Sequence, residues 1–174
     1  RALERSNTGA GSAASVAAMC TLSACEHETL SGPPRLRLGH DECGECGMIV
    51  TEERSAAAAL IDENGRRSYI EYDDIGCMLD DERDATEGRT IVERYVHDWE
   101  SHEWIAADQA AFLMADPHRV VTPMGSGIVA YADRDRAEGA AESWGGRAMD
   151  WREVVEARRR WMDERYGAPD KTKD

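Results

Sequence analysis

The stretch Cys43-Gly44-Glu45-Cys46-Gly47-Met48 places three sulfur side chains within six residues of a glycine-rich turn. An apolar run, Ile49-Val50, follows it directly. Thiolates and thioethers are soft donors, and soft donors favour soft metal ions, Cu(I) above all. Zinc and iron–sulfur sites generally use several cysteines and no methionine. The Cys-x-Met pair therefore indicates copper, and a protein that carries the ion more than one that uses it in catalysis.

A second methionine-bearing glycine turn lies further along the chain, at Pro123-Met124-Gly125. Patterns typical of a strand and then a helix follow each of the two turns. This repetition predicts an α+β fold built from two small related lobes of short strands and helices. It also suggests, as a hypothesis, that the two turns face one another across a cleft.

Local signals place the secondary-structure elements around these turns. Asn64-Gly65 between two apolar runs predicts a β-hairpin. Asp73 or Asp74 is expected to cap a helix whose apolar residues follow helical spacing. Aspartates at 133 and 150 are expected to cap two further helices. Short strands are expected at residues 49–51, 90–99, 104–105, 128–132 and 147–149.

Two segments are harder to interpret from periodicity. Residues 107–114 fit a short helix or a strand equally well. The last helix is expected to bury one apolar face, formed by Trp151, Val154, Val155, Trp161 and Met162.

The composition predicts a folded, acidic protein. The chain has 174 residues, is 41% hydrophobic and carries a formal net charge of −14 at pH 7. This length allows one domain with a sizeable core, or two small lobes. Because phosphate binding requires clustered cations, the negative charge argues against nucleic acid as a partner.

The amino-terminal segment resembles an export signal that ends in a lipobox, Leu22-Ser23-Ala24-Cys25. We therefore expect residues 1–25 to be a signal peptide with lipidation at Cys25, and residues 26–39 to be a linker. The apolar stretch is too short to span a bilayer. The lipid is then the only expected membrane contact of an extracytoplasmic domain, in the periplasm or at the cell surface. The alternative is a loose Ala/Ser-rich leader with an incidental cysteine.

The cysteines show no paired disulfide framework, since there are five, at positions 20, 25, 43, 46 and 77. Cys43 and Cys46 form the close pair that is able to act together. Cys77 lies beside apolar Ile75 and Met78 on a predicted helix, so we expect it to be buried and inert.

Several blocks of the sequence closely resemble the NosL family, the accessory lipoproteins of nitrous-oxide reductase. They occur in the family's order and at its spacing, between residues 40 and 155. The blocks are Cys46-Gly47-Met48-Ile49-Val50, Tyr72-Asp73-Asp74-Ile75-Gly76, Trp104-Ile105-Ala106-Ala107-Asp108-Gln109-Ala110, Pro123-Met124-Gly125 and Ile128-Val129-Ala130-Tyr131-Ala132.

The resemblance implies a two-lobed α+β fold similar to that of the organomercurial lyase MerB. It implies a Cu(I) chaperone, not an enzyme, that delivers copper by ligand exchange to nitrous-oxide reductase through an ABC-type maturation complex. The family's ligands carry over to Cys46, Met48 and Met124. Residues 40–155 would form the copper-binding domain and residues 156–174 a helical extension beyond it. We expect the protein to be a monomer.

The role of Cys43 stays open, because only part of the family has a cysteine there. It is a second ligand, a disulfide partner of Cys46 that controls metal loading, or a bystander. His40 lies close to the turn and is an accessory-ligand candidate. The other side chains considered are expected to lie at the surface or in loops (His97, His102, His118) or in the core (Met78, Met114, Met149).

Three rival functions use parts of the same pattern. The Cys43-x-x-Cys46 spacing also occurs in thiol–disulfide oxidoreductases, but these place it after a buried strand and at a helix start. The same pair is half of a zinc site, which histidines would have to complete. Organomercurial cleavage would rest on the fold alone, and a fold does not determine function.

Overall fold

The computed structural model of the chain describes residues 30–84 and 88–167. Within these ranges the chain forms seven strands and three helices, which confirms the predicted α+β class. The strands are β1 (Ala57–Glu63), β2 (Arg66–Tyr72), β3 (Thr90–His97), β4 (Trp104–Ala106), β5 (Ala111–Met114), β6 (Ile128–Tyr131) and β7 (Ala148–Met149). The helices are α1 (Ile75–Asp84), α2 (Arg134–Trp144) and α3 (Trp151–Tyr166).

The first sheet has four antiparallel strands in the order β2-β1-β3-β4. The predicted hairpin joins β1 to β2 through Asn64 and Gly65, which both have positive φ, at 56° and 80°. Positive φ at both central residues is the geometry of a two-residue type I′ turn, so the Asn-Gly prediction is confirmed. β1 is one of the two inner strands of this sheet, and its residues Ala57–Leu60 are fully buried.

The second sheet has three antiparallel strands in the order β6-β5-β7. Its middle strand, β5, lies inside the segment 107–114, where the sequence pattern favours neither helix nor strand. Pairing on both sides decides the conformation, because Phe112 pairs with Ala130 on one side and with Met149 on the other. A short apolar run of this kind becomes a strand through its partners, which local periodicity cannot reveal.

One hydrophobic cluster joins the two sheets, which correspond to the two predicted lobes. A second cluster lies between the second sheet and α2. Asp98, just after β3, also connects the sheets: it forms a bridge with Ala130, and its carboxylate accepts a 2.7 Å hydrogen bond from the Ala132 amide. The joint cluster includes Ala57, Val96, Phe112, Ile128 and Val154.

The predicted helix caps at Asp133 and Asp150 are confirmed, since each side chain accepts a hydrogen bond from an amide in the first turn. The predicted apolar face of α3 is wrong in part. Val155 is exposed, whereas Arg158 is buried against α1 and pairs with Asp80 at 2.7 Å. The packing of two helices, and not periodicity alone, selects which residues of α3 are covered.

Two further expectations are corrected. Residues 49–51 do not form a strand, because only an isolated bridge between Glu42 and Ile49 is present there. His97, expected at the surface or in a loop, is instead the last residue of β3, is 2% exposed, and stacks its ring on Trp104 with 3.7 Å between the ring centroids. Burial lowers the pKa of His97, so the ring remains neutral in this packing.

The segment before the cysteines contacts the first sheet. Tyr69 donates a 2.6 Å hydrogen bond to the Gly32 carbonyl, and Pro34 is buried. The predicted signal peptide, Cys25 and the first part of the predicted linker lie outside the described residues. None of the helices within residues 30–84 and 88–167 has both the length and the apolar character needed to cross a membrane.

Candidate metal centre

Residues 43–48, named here the cysteine turn, are held closed by two backbone hydrogen bonds. The Cys43 amide donates to the Met48 carbonyl at 2.7 Å, and the Gly47 amide donates to the Cys43 carbonyl at 2.8 Å. A third bond, from the Gly44 amide to the Glu71 carbonyl at 2.8 Å, joins the turn to the end of β2. The turn therefore directs its two cysteines differently, with Cys43 2% exposed and Cys46 exposed.

The start of α1 lies beside this turn. Asp74 caps the helix, because its side chain accepts a 2.7 Å hydrogen bond from the Gly76 amide. A Cβ at Gly76 would lie 2.5 Å from the Ser126 Cβ, so only glycine allows the helix to approach that loop. Cys77, in the first turn of α1, is 4% exposed and lies near the buried Cys43.

Four ligand atoms converge between the cysteine turn and α1. The sulfurs of Cys43, Cys46 and Cys77 and a carboxylate oxygen of Asp73 all lie within 4.8 Å of one another. Two sulfurs bound to one metal at about 2.3 Å lie about 4 Å apart in a trigonal site and about 4.6 Å apart in a linear one. The four residues therefore fit a single metal ion with small side-chain adjustments.

The protonation of the three thiols is not equivalent. The Cys77 thiol donates a hydrogen bond to Cys43, and together with backbone amides this lowers the pKa of Cys43 to about 6. The same hydrogen bond, together with burial, raises the pKa of Cys77. Desolvation raises the pKa of Cys46. Of the three thiols, Cys43 is therefore the one whose thiolate the fold favours, and a thiolate is the form that binds metal.

Residues 122–127, named here the methionine loop, contact the same helix end. The Met124 amide donates to the Asp74 carboxylate at 3.0 Å, and the Thr122 hydroxyl donates to it at 2.6 Å. The Ser126 hydroxyl donates to the other oxygen of this carboxylate. Since the neighbouring Asp73 lies 3.9 Å from the Cys46 sulfur, the turn and the loop both contact the two residues that directly precede α1.

The two predicted thioether ligands are unusually exposed for methionine. Met48 is 54% exposed and Met124 is 42% exposed, whereas methionine is generally a core residue. By contrast Met78 and Met149 are buried and Met114 packs against the core, as predicted.

The sequence interpretation missed two residues of the cluster as ligands, Asp73, which it treated only as a possible helix cap, and Cys77. Cys77 is buried, as predicted, but its sulfur faces other thiols and not only apolar neighbours. The signal that could have identified it is its position three residues after the cap Asp74, because a thiol in the first helical turn lies near whatever packs on that helix end. His40 is exposed and does not belong to the four-residue cluster. Cys43 and Cys46 are both free thiols in this structure.

The NosL family model matches residues 38–158. The chain belongs to the NosL family. This confirms the resemblance predicted from the sequence blocks, and the match ends within α3. The copper-binding lipoprotein NosL of Stutzerimonas stutzeri is 24% identical over an alignment of 124 residues, which covers 67% of this chain and 63% of that relative. The chain thus matches less than two thirds of that relative's length.

A solved structure shares the NosL fold. The crystal structure of the copper chaperone NosL from Shewanella denitrificans matches with a TM-score of 0.57, over 72% of this chain and 97% of that one. The two sequences are 18% identical over this match, so the likeness concerns the fold.

Proposed function

We propose that this NosL-family protein is a Cu(I) chaperone that binds copper through the cysteine turn and the methionine loop. The observation that carries the proposal is the cluster of three cysteine sulfurs and Asp73 within 4.8 Å, with Cys46 open to solvent. Three soft donors at this spacing suit Cu(I), and the exposed thioethers of Met48 and Met124 add soft donors at the surface.

Exposure of Cys46 supports a role in carrying copper more than in storing it. A metal held by few ligands near the surface leaves room for a sulfur or imidazole of an acceptor to attack. Copper then passes by ligand exchange, in which one copper–ligand bond forms as another breaks and no free ion is released. No redox change is needed, because copper remains monovalent throughout.

The family membership also suggests which protein accepts the copper and where transfer takes place, and we include both in the proposal. The protein would deliver copper for the maturation of nitrous-oxide reductase, together with an ABC-type complex, as a monomer. A lipid on Cys25 would hold it outside the cytoplasm, and the name of the Stutzerimonas relative, a copper-binding lipoprotein, supports this. Transfer of copper from the loaded protein to copper-free reductase, with and without the maturation complex, tests the acceptor.

Anaerobic competition with a chromophoric Cu(I) chelator tests copper binding directly. We expect one Cu(I) per chain, and the Cys46→Ser variant should lose at least about 100-fold in affinity, since it removes a ligand and even supporting residues cost 10–100-fold. Cys25→Ser is the matched control, because it also replaces one cysteine by serine, at a position that is expected to carry lipid and not copper. Unchanged affinity in Cys46→Ser, with native circular dichroism, would refute the proposal.

Zinc is the second candidate, and one observation favours it. Three thiols and one carboxylate form the four-ligand set that a tetrahedral Zn(II) site requires. Titration of the Cu(I)-loaded protein with Zn(II) separates the two functions. Retention of copper supports the chaperone, and displacement at equal metal concentrations supports a zinc site.

A further inference from the structure

We propose that the centre has two overlapping copper positions that share Cys46. The inner position consists of the thiols of Cys43, Cys46 and Cys77. The outer position consists of Cys46 with the thioethers of Met48 and Met124. This inference rests on the proposed function of Cu(I) transfer and extends it by assigning Cys77 as a ligand and by giving the ion a path from the interior to the surface.

Burial separates the two positions. Cys43 and Cys77 are 2% and 4% exposed, whereas Met48 and Met124 are 54% and 42% exposed. Cys46 is the exposed member of the thiol cluster and directly precedes Gly47-Met48 in the turn. A copper ion bound to all three thiols would be open to solvent ligands only on the Cys46 side, and one bound to Cys46 and the thioethers would be more accessible to them.

The backbone holds the two inner thiols in place. The Cys77 amide donates to the Asp74 carbonyl at 2.9 Å within the first turn of α1, and the Cys43 amide donates to the Met48 carbonyl at 2.7 Å. Both residues thus lie on hydrogen-bonded structure on either side of the cluster. A rigid pair of ligands keeps its geometry when the ion leaves, which prepares the inner position for the next ion.

Movement of Cu(I) from the outer to the inner position requires no oxidant or reductant. Copper on the outer position is already bound to the Cys46 thiolate. As it moves inward, bonds to the sulfurs of Cys43 and Cys77 form, bonds to the two thioethers break, and each of these two sulfurs that carries a proton releases it to solvent. The reverse sequence returns the released protons to the sulfurs and presents copper at the surface. The ion remains Cu(I) in both directions.

Asp73 allows a different metal site in the same cluster, which competes with the proposed inner copper position. Its carboxylate oxygen lies 3.9 Å from the Cys46 sulfur and within the same cluster. A hard oxygen ligand is unsuited to Cu(I) but would complete a tetrahedral site for a divalent ion. The inner position as proposed uses sulfur alone, so the number and type of ligands distinguish the two.

X-ray absorption at the copper edge of the loaded full-length protein tests the inner position. We expect a shell of three sulfurs in the wild type, and the same shell in the double variant Met48→Leu/Met124→Leu. The double variant should lose less than about 10-fold in Cu(I) affinity, while its transfer of copper to a chelator slows by about 10-fold, because the exit ligands are gone. A shell with two or fewer sulfurs in either protein would overturn the inner position.

Replacement of Cys77 provides the second test. Cys77→Ser and Cys77→Ala should each weaken Cu(I) binding by about 10-fold or more and reduce the sulfur shell by one, with circular dichroism to verify folding. If both fold and bind Cu(I) as tightly as the wild type while Cys46→Ser does not, the inner position is wrong and the chaperone proposal stands. If Cys46→Ser also retains tight binding, the chaperone proposal fails as well.

Discussion

The cysteine turn and the methionine loop reach the same helix end but are stabilised to different degrees by their own backbone. Two backbone hydrogen bonds within the cysteine turn hold it closed, and a third joins it to β2. The methionine loop depends on a carboxylate from the other half of the molecule, because Thr122, Met124 and Ser126 all donate to Asp74. The methionine loop also has a backbone hydrogen bond of its own, from the Gly125 amide to the Thr122 carbonyl at 2.9 Å. The difference indicates that the thiols form a preorganised site, whereas Asp74 is the main contact that attaches Met124 to the start of α1.

Asp74→Ala should cause the largest loss of stability, because it removes the contact between the methionine loop and the start of α1. The buried carboxylate accepts hydrogen bonds from Gly76, Thr122, Met124 and Ser126. Each buried donor left unsatisfied costs about 1–3 kcal/mol, so the free energy of unfolding should fall by about 4 kcal/mol or more. Urea denaturation of the metal-free protein measures this loss.

Asp74→Asn is the milder variant and serves as the test of the loop itself. It retains one acceptor oxygen and should cost about half as much. Hydrogen exchange should then increase in residues 122–127 and remain unchanged in residues 43–48. Equal loss of protection in both segments would show that the two do not differ in how they are stabilised.

Arg158→Met should cause the next largest loss of stability, because it removes a contact of α1, the helix whose start both segments reach. Arg158 of α3 pairs with Asp80 of α1 at 2.7 Å, and both side chains are nearly buried. Removing the cation leaves the Asp80 charge buried and unpaired, which costs about 3 kcal/mol. Thermal unfolding should detect this, while Cu(I) affinity of the folded protein stays unchanged. The double variant Arg158→Met/Asp80→Leu should recover most of the loss, and failure to recover would mean that the pair is not the cause.

Local sequence signals predicted the parts of the fold that local physics determines. Asn64-Gly65 fixes the hairpin through its backbone conformation, and Asp133 and Asp150 begin their helices through side-chain hydrogen bonds to nearby amides. None of these features needs a distant partner. The two methionine-bearing turns were likewise recognised, since glycine and sulfur occur together in each.

Features that depend on distant partners could not be predicted in this way. Ile49-Val50 has a strand-like composition but finds no strand to pair with beyond one bridge. Cys77 joins the thiol cluster only because α1 packs beside the cysteine turn, whose two cysteines lie more than 30 residues before Cys77 in sequence. His97 is buried because Trp104 of β4 covers it. In each case, tertiary packing decides the role of a residue whose neighbours in sequence are uninformative.

The lowered pKa of Cys43 predicts how the stability contributed by the cysteine turn depends on pH. Its value of about 6, against an ordinary value of 9.0, means that the folded metal-free protein favours the thiolate. The resulting stabilisation is complete above pH 9, decreases as pH falls, and is absent below about pH 6. The difference in unfolding free energy between wild type and Cys43→Ser should therefore grow from pH 6 to pH 9. A difference independent of pH would show that the thiol is not acidic.

Single methionine replacements should give the smallest effects. Met48→Leu and Met124→Leu each remove one neutral, exposed thioether and should weaken Cu(I) binding by less than about 10-fold. Met162→Leu on α3 is the matched control and should change nothing.

A double-mutant cycle then relates the methionine loop to Asp74. If Asp74 acts on copper by positioning Met124, the affinity loss of Asp74→Asn should disappear in a Met124→Leu background but persist in a Met48→Leu background. Additive losses in both backgrounds would contradict this, because Asp74 would then act on the centre through the start of α1 and not through the loop. The cycle thus tests whether one buried carboxylate connects the second half of the molecule to the thiols of the first.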